Sequence, residues 1–171
     1  PASLDDMEAY LLDVREGRPP SPELVTEMKH RYGAIGGSPL NRLTQEQAAA
    51  LQAALARRGN PLPVYVGMRH WPPRIAETVA RMRADGIGEA VALVMAPHYS
   101  AMSVGRYRKK LDEAVQQPGA PIRFHFVESW SHQPNFVRAW TDALKPILEE
   151  GTMVLFTAHS LPERVRQMES K

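Results

Sequence analysis

Six histidines and no cysteine set the chemistry open to this sequence of 171 residues. Three of the histidines come within two residues of the end of a short apolar run. His70 follows "LPVYVGM" (62–68), His98 follows "EAVALVMA" (89–96), and His159 follows "MVLFTA" (153–158). A fourth run, "IRFHFVE" (122–128), ends on Glu128, with Ser129 and Trp130 behind it. An imidazole held at such an end can bind a transition-metal ion or accept a proton near neutral pH, and a nearby carboxylate can assist either task. The other histidines sit elsewhere: His30 at a helix end, His125 inside a run, His132 in a loop. No His-x-x-His or His-Glu-x-x-His spacing occurs, which speaks against a conventional zinc site. The lack of cysteine excludes disulfides, thiolate metal sites and a Cys-ligated iron–sulfur cluster within this chain. "GAIGG" (33–37) is neither G-x-G-x-x-G nor a P-loop, and it follows a helix, so it reads as a connection.

Cations gather near the start. Arg15, Arg18 and the pair Arg31-Tyr32 flank the first two helical segments. At helix ends such residues ordinarily stand in solvent and complement the dipole. Packed over a polar cleft, the same guanidinium groups could grip an acidic ligand bidentately. Residue pattern alone leaves two classes open, a metal-handling enzyme and a module that binds an anionic ligand.

An alternating array of elements must position these groups. Helices are expected over 4–16, over 22–31 after Ser21-Pro22, and over 45–58, the last opened by a Thr44-Gln-Glu-Gln47 capping box. Strands are expected at 62–68, 89–96, 122–128 and 153–158, with helices at 72–84, 103–116 and 134–149 between them and a new helix from Pro162. Strands that are apolar throughout, separated by helices, predict an α/β fold: a doubly wound parallel sheet with helices on both faces, in three layers. Ligands bind such sheets beyond the carboxyl ends of the strands, where the histidines fall. At 43% hydrophobic and 23% charged, the chain reads as globular. A net charge of +2 without a basic run gives no nucleic-acid stripe, and no apolar stretch reaches the ~18–20 residues of a membrane span. The expectation is a chain without nucleic-acid partner or membrane insertion, and the cysteine-free composition suits a reducing cytoplasm.

The motifs "RYGAIGGSPLNRLT", "APHYSAMSVGRY", "VESW" with a following "PNFVRAW", and "TAHSLPER" together resemble the ferrochelatase family, specifically its soluble bacterial type acting on coproporphyrin. The similarity runs from Pro1 to at least Arg164. The resemblance implies a chelatase-like, flavodoxin-like fold and insertion of Fe²⁺ into a tetrapyrrole with release of two protons. It makes His159, in the "AHSLP" block, the catalytic and iron-binding residue. It makes Arg15, Arg31, Tyr32, Ser38 and Tyr107 porphyrin contacts, through charge pairing with propionates, hydroxyl hydrogen bonds and an aromatic wall. His70 and Glu128 become secondary candidates near the metal. Coproporphyrin III, or protoporphyrin IX, and Fe²⁺ are then the partners, with iron as substrate and no tightly bound cofactor. A cytoplasmic enzyme, monomeric when full-length, is the corresponding expectation.

Two departures from the family pattern stand out. Its members open with an apolar strand and an Ala-Tyr-Gly-Thr-Pro-like turn, whereas this chain starts at the proline, so the first strand and its tyrosine are expected to be missing. Its members also continue into a second domain that brings a glutamate to the histidine. Residues 1–160 are therefore expected to be an incomplete N-terminal chelatase-like domain, and 161–171 the start of a helix leading to an absent C-terminal domain. A chain cut this way is expected to be marginally stable and inactive by itself. The alternative is a non-catalytic domain that binds a tetrapyrrole or another anion. A cobalt or nickel chelatase is disfavoured only through the resemblance.

Overall fold

The computed structural model describes Pro1 and residues 3–157. His159 and the helix expected from Pro162 lie outside the described residues. In chain order the elements are α1 (Met7–Val14), α2 (Pro22–Ala34), α3 (Leu40–Arg57), α4 (Ile75–Ala84), β1 (Glu89–Leu93), α5 (Val104–Val115), β2 (Arg123–Val127) and α6 (Pro134–Leu144). A single 3₁₀ turn, Lys145–Ile147, follows α6. The chain divides into two compact units, Pro1–Gly86 and Ile87–Lys171.

The first unit is helical. α2 starts where Ser21 accepts a hydrogen bond from the Leu24 amide (3.3 Å), with Pro22 in the first turn. It ends in a Schellman motif: Gly37 N–H reaches back to Tyr32 O (2.8 Å) and Gly36 N–H to Gly33 O (3.0 Å). Both closing glycines have positive φ, +72° and +94°, which explains the "GAIGG" run without any phosphate. α3 begins at Leu40, five residues before the expected start at 45. Pro39 already supplies a φ of −77°, and Thr44 donates its hydroxyl to Leu40 O (2.7 Å), so Thr44 is interior and caps nothing. α4 starts later than expected because Pro72 and Pro73 disfavour helical geometry before them. Arg74 takes the capping position there, its amide bonded to the Glu77 carboxylate (2.9 Å). Met7, Leu11, Val66, Val79 and Met82 are the buried apolar side chains of this unit.

The second unit holds the sheet. β1 and β2 pair in parallel, from Glu89 opposite Arg123 to Leu93 opposite Val127, with α5 between them in sequence. Val104, Leu111, Ala114 and Ile122 form its buried core. α6 stops at Leu144 because Pro146 has no amide hydrogen to continue it.

Among the described residues the architecture is thus α/β with a small parallel sheet of two strands, where four strands were expected. Residues 62–67 form no ladder. Their neighbourhood holds only an isolated bridge between Met68 and Arg74, and the Val64 amide bonds to the Gln52 side chain instead (2.8 Å). Residues 153–157 are likewise without ladder, with Met153, Leu155 and Phe156 between 82% and 90% exposed. A strand gains its stability from a paired neighbour, and β1 and β2 pair with each other. No described helix is long and apolar enough to cross a membrane.

Candidate functional site

In the first unit the end of α1 carries a dense set of polar side chains. Asp13, in its last turn, accepts from His70 Nδ1 through Oδ2 (2.8 Å) and from Arg74 Nη1 through Oδ1 (2.9 Å). Arg69 Nε lies 2.6 Å from His70 Nε2. A guanidinium can only donate, so His70 Nε2 accepts and its proton sits on Nδ1, pointed at Asp13. Burial pushes the Asp13 carboxyl up, but hydrogen bonds and charge from His70 and Arg74 outweigh that and hold it below the usual aspartate value.

Arg15 caps α1 and is half-buried; Arg18 is exposed. Each donates Nε–H to the other's backbone carbonyl, at 3.2 Å in both directions. Arg31, in the last turn of α2, pairs with Glu27 one turn earlier, and both are well exposed. Tyr32 is half-buried and belongs to the turn that the Schellman glycines close. That closure delivers Ser38, whose Oγ accepts from the Leu40 amide (3.3 Å). Arg15, Arg31, Tyr32, Ser38 and His70 all belong to this unit.

In the second unit Tyr107 lies in the first turns of α5. Glu128, just past β2, is paired with Arg108 of α5 (2.6 Å), whose guanidinium carbon also stands 5.4 Å from the centre of the Phe126 ring. The segments after β1 and β2 are tied together. Trp130 donates its indole N–H to Val94 O (2.9 Å) and its amide to Pro97 O (3.0 Å), and Ser129 Oγ bonds Pro97 O (3.0 Å). His98 is exposed, and His125 pairs with Glu89 across the two strands (2.6 Å). Among the described residues no group of three His, Asp or Glu side chains is arranged to hold a metal ion; His159 is outside that set.

Sequence reasoning paired Arg69 with His70 at the end of the first run but missed Asp13 and Arg74, because nothing local marks a carboxylate at a helix end as the partner of groups far along the chain. Chemically, the candidates of the first unit comprise guanidinium groups, a hydroxyl beside a glycine turn and one half-buried aromatic ring, groups that individually pair with carboxylates, accept hydrogen bonds and pack against flat rings.

Comparison with known proteins identifies the family. The family model described as Ferrochelatase matches residues 2–170. The ferrochelatase of Thermus thermophilus is 41% identical over 184 aligned residues, covering 95% of this chain and 58% of that protein. The coproporphyrin III ferrochelatases of Oceanobacillus iheyensis and Bacillus subtilis are 39% and 38% identical, covering 96% and 98% of this chain and 55% and 57% of their own lengths. The chain spans a little over half the length of the curated relatives it matches. With the match running almost from end to end and through every motif that the sequence singled out, the chain belongs to the ferrochelatase family.

Proposed function

We propose that this chain supplies the porphyrin-contacting and iron-binding residues of an enzyme that inserts Fe²⁺ into coproporphyrin III in heme biosynthesis. One observation carries the reading. The family match over residues 2–170 takes in His159 and all the porphyrin-contact candidates, and relatives at this identity bear the name coproporphyrin III ferrochelatase. Arg15 and Arg31 pair with propionates, Arg31 by exchanging Glu27 for the ligand. Ser38 and Tyr107 donate hydroxyl hydrogen bonds, and Tyr32 supplies an aromatic face. Insertion requires the two central N–H protons to leave as the metal sheds water. His159 receives the iron, or takes a proton, as a neutral imidazole can do at physiological pH. The same reading includes a wider, doubly wound parallel sheet in which 62–68 and 153–158 find partners, a contribution from a C-terminal half, and a cytoplasmic monomer.

The test uses the intact gene product, titrated with coproporphyrin III with and without Fe²⁺ under anaerobic conditions. The expected result is binding in both cases and metallation only with iron. His159→Ala should abolish metallation and leave porphyrin binding within about tenfold, ~1.4 kcal/mol. Binding without metallation by the unaltered protein would instead establish a non-catalytic tetrapyrrole-binding domain.

A further inference from the structure

The turn after α1 is built more tightly than a solvated helix end requires. Gly17 N–H bonds to Leu12 O (2.8 Å) and Glu16 N–H to Asp13 O (3.0 Å), a second Schellman closure. Glu16 and Gly17 hold φ values of +56° and +85° there, which bends Arg18 back toward Arg15. The Arg18 amide then meets Arg15 O (3.2 Å), and the two side chains cross, each Nε–H on the other's carbonyl (3.2 Å each).

This crossing fixes both guanidinium groups at their Nε edges and leaves the Nη edges of both without a partner among the described residues. Asp13, two residues from Arg15, is committed to His70 and Arg74 and does not neutralise the pair. Two guanidinium groups anchored on one turn carry like charge, and an anion set against both is favoured by each. A planar carboxylate matches guanidinium N–H groups geometrically.

We propose that Arg18 joins Arg15 in a two-guanidinium clamp that holds one carboxylate of the tetrapyrrole; this rests on the function proposed above. Arg18 is then a further binding residue, and the reciprocal Nε–H bonds are its positioning device. Lysine cannot replace it, because an ammonium group has no N–H at the Nε position to make the crossing bond.

The experiment is an iron-free coproporphyrin III titration of the intact protein and of Arg18→Gln, Arg18→Lys, Arg15→Gln and the double Gln variant, followed by porphyrin fluorescence. Arg18→Gln should bind about tenfold more weakly, at the low end for a charged hydrogen bond because the site is open to water. Arg18→Lys should bind as weakly as Arg18→Gln, and the double variant should lose clearly less than the product of the two single losses, since both groups hold the same carboxylate. Circular dichroism spectra matching the parent's show that the variants are folded; should Arg18→Gln fail that check, Arg18→Ala takes its place. Parent-like affinity in Arg18→Gln, or full rescue by Arg18→Lys, overturns the clamp while leaving the proposed function standing. A parent protein that binds no coproporphyrin overturns both.

Discussion

Replacing Asp13 tests how the first unit holds the end of α1 against the segment that starts α4. The carboxylate joins His70 and Arg74, and Arg74 is itself the capping residue of α4. Asp13 is 30% exposed, His70 23% and Arg74 44%. A hydrogen bond to a charged group contributes about 1.5–3 kcal/mol when well shielded, and half-exposed ion pairs contribute about 1 kcal/mol or less. The His70 bond therefore falls near the bottom of the first range and the Arg74 pair within the second. Together these predict a loss of about 2–3 kcal/mol for Asp13→Ala, and about 1–2 kcal/mol for Asp13→Asn, whose carbonyl still accepts from His70. Because the folded pKa of Asp13 is depressed, the charge-dependent part of this stability is complete above the ordinary aspartate pKa, ~3.9, and disappears as pH falls through the lower folded value. Urea unfolding followed through ¹⁹F-labelled Trp71 reads this unit, since Trp71 packs edge-on against Tyr10 of α1 (6.2 Å between ring centres). The gap between the native protein and Asp13→Asn should be full at pH 7 and close as pH falls from 5 toward 3. A gap that is absent at pH 7, or that stays constant over that acid range, refutes the assignment of the stability to the ionised carboxylate.

Thr78 is 6% exposed and donates its hydroxyl to Val66 O at 2.7 Å. Thr78→Val keeps the shape but leaves a buried carbonyl unpaired, so the urea midpoint should fall by the equivalent of about 1–3 kcal/mol, and Thr78→Ser should recover part of it; no change in midpoint would mean that water satisfies the carbonyl. Tyr65 donates to Asp85 (2.8 Å), and that bond, ahead of desolvation and the Asp85 charge, raises its pKa above the usual value despite the opposing charge of Arg81. The neutral phenol is the form that the fold favours, so its contribution is present below pH ~10 and is lost as pH rises through the raised value. Ultraviolet titration of the five tyrosines should show a late-ionising group that Tyr65→Phe removes, and persistence of that group in the variant would sink the assignment.

The helix ends were legible because their signals are local. Ser21-Pro22 and Gly59 are read from adjacent residues, and the backbone uses them as read, whereas α2 runs three residues past its expected end at 31, through Gly33 and Ala34, before Gly36-Gly37 close it. Thr44 misled because a capping box and a helix interior share the same residue types, and Pro39 had already set the start. Strands are a different matter. The runs 62–67 and 153–157 have the same apolar character as β1 and β2, yet pairing decides whether a run becomes a strand, and pairing is not written within the run. The site divides along the same line. His70 and Glu128 could be singled out by position, and Arg69 stands next to His70, but their distant partners Asp13 and Arg108 come only with the fold. Those partners change what the residues can do. With Nδ1 directed at Asp13 and Nε2 taken by Arg69, His70 can bind a metal or take a proton only by releasing one of them. Its hydrogen bond to Asp13, shared with Arg74, also holds the 69–74 segment against α1. Position after an apolar run nominates a histidine, and the partners of its two ring nitrogens set what it must release to act.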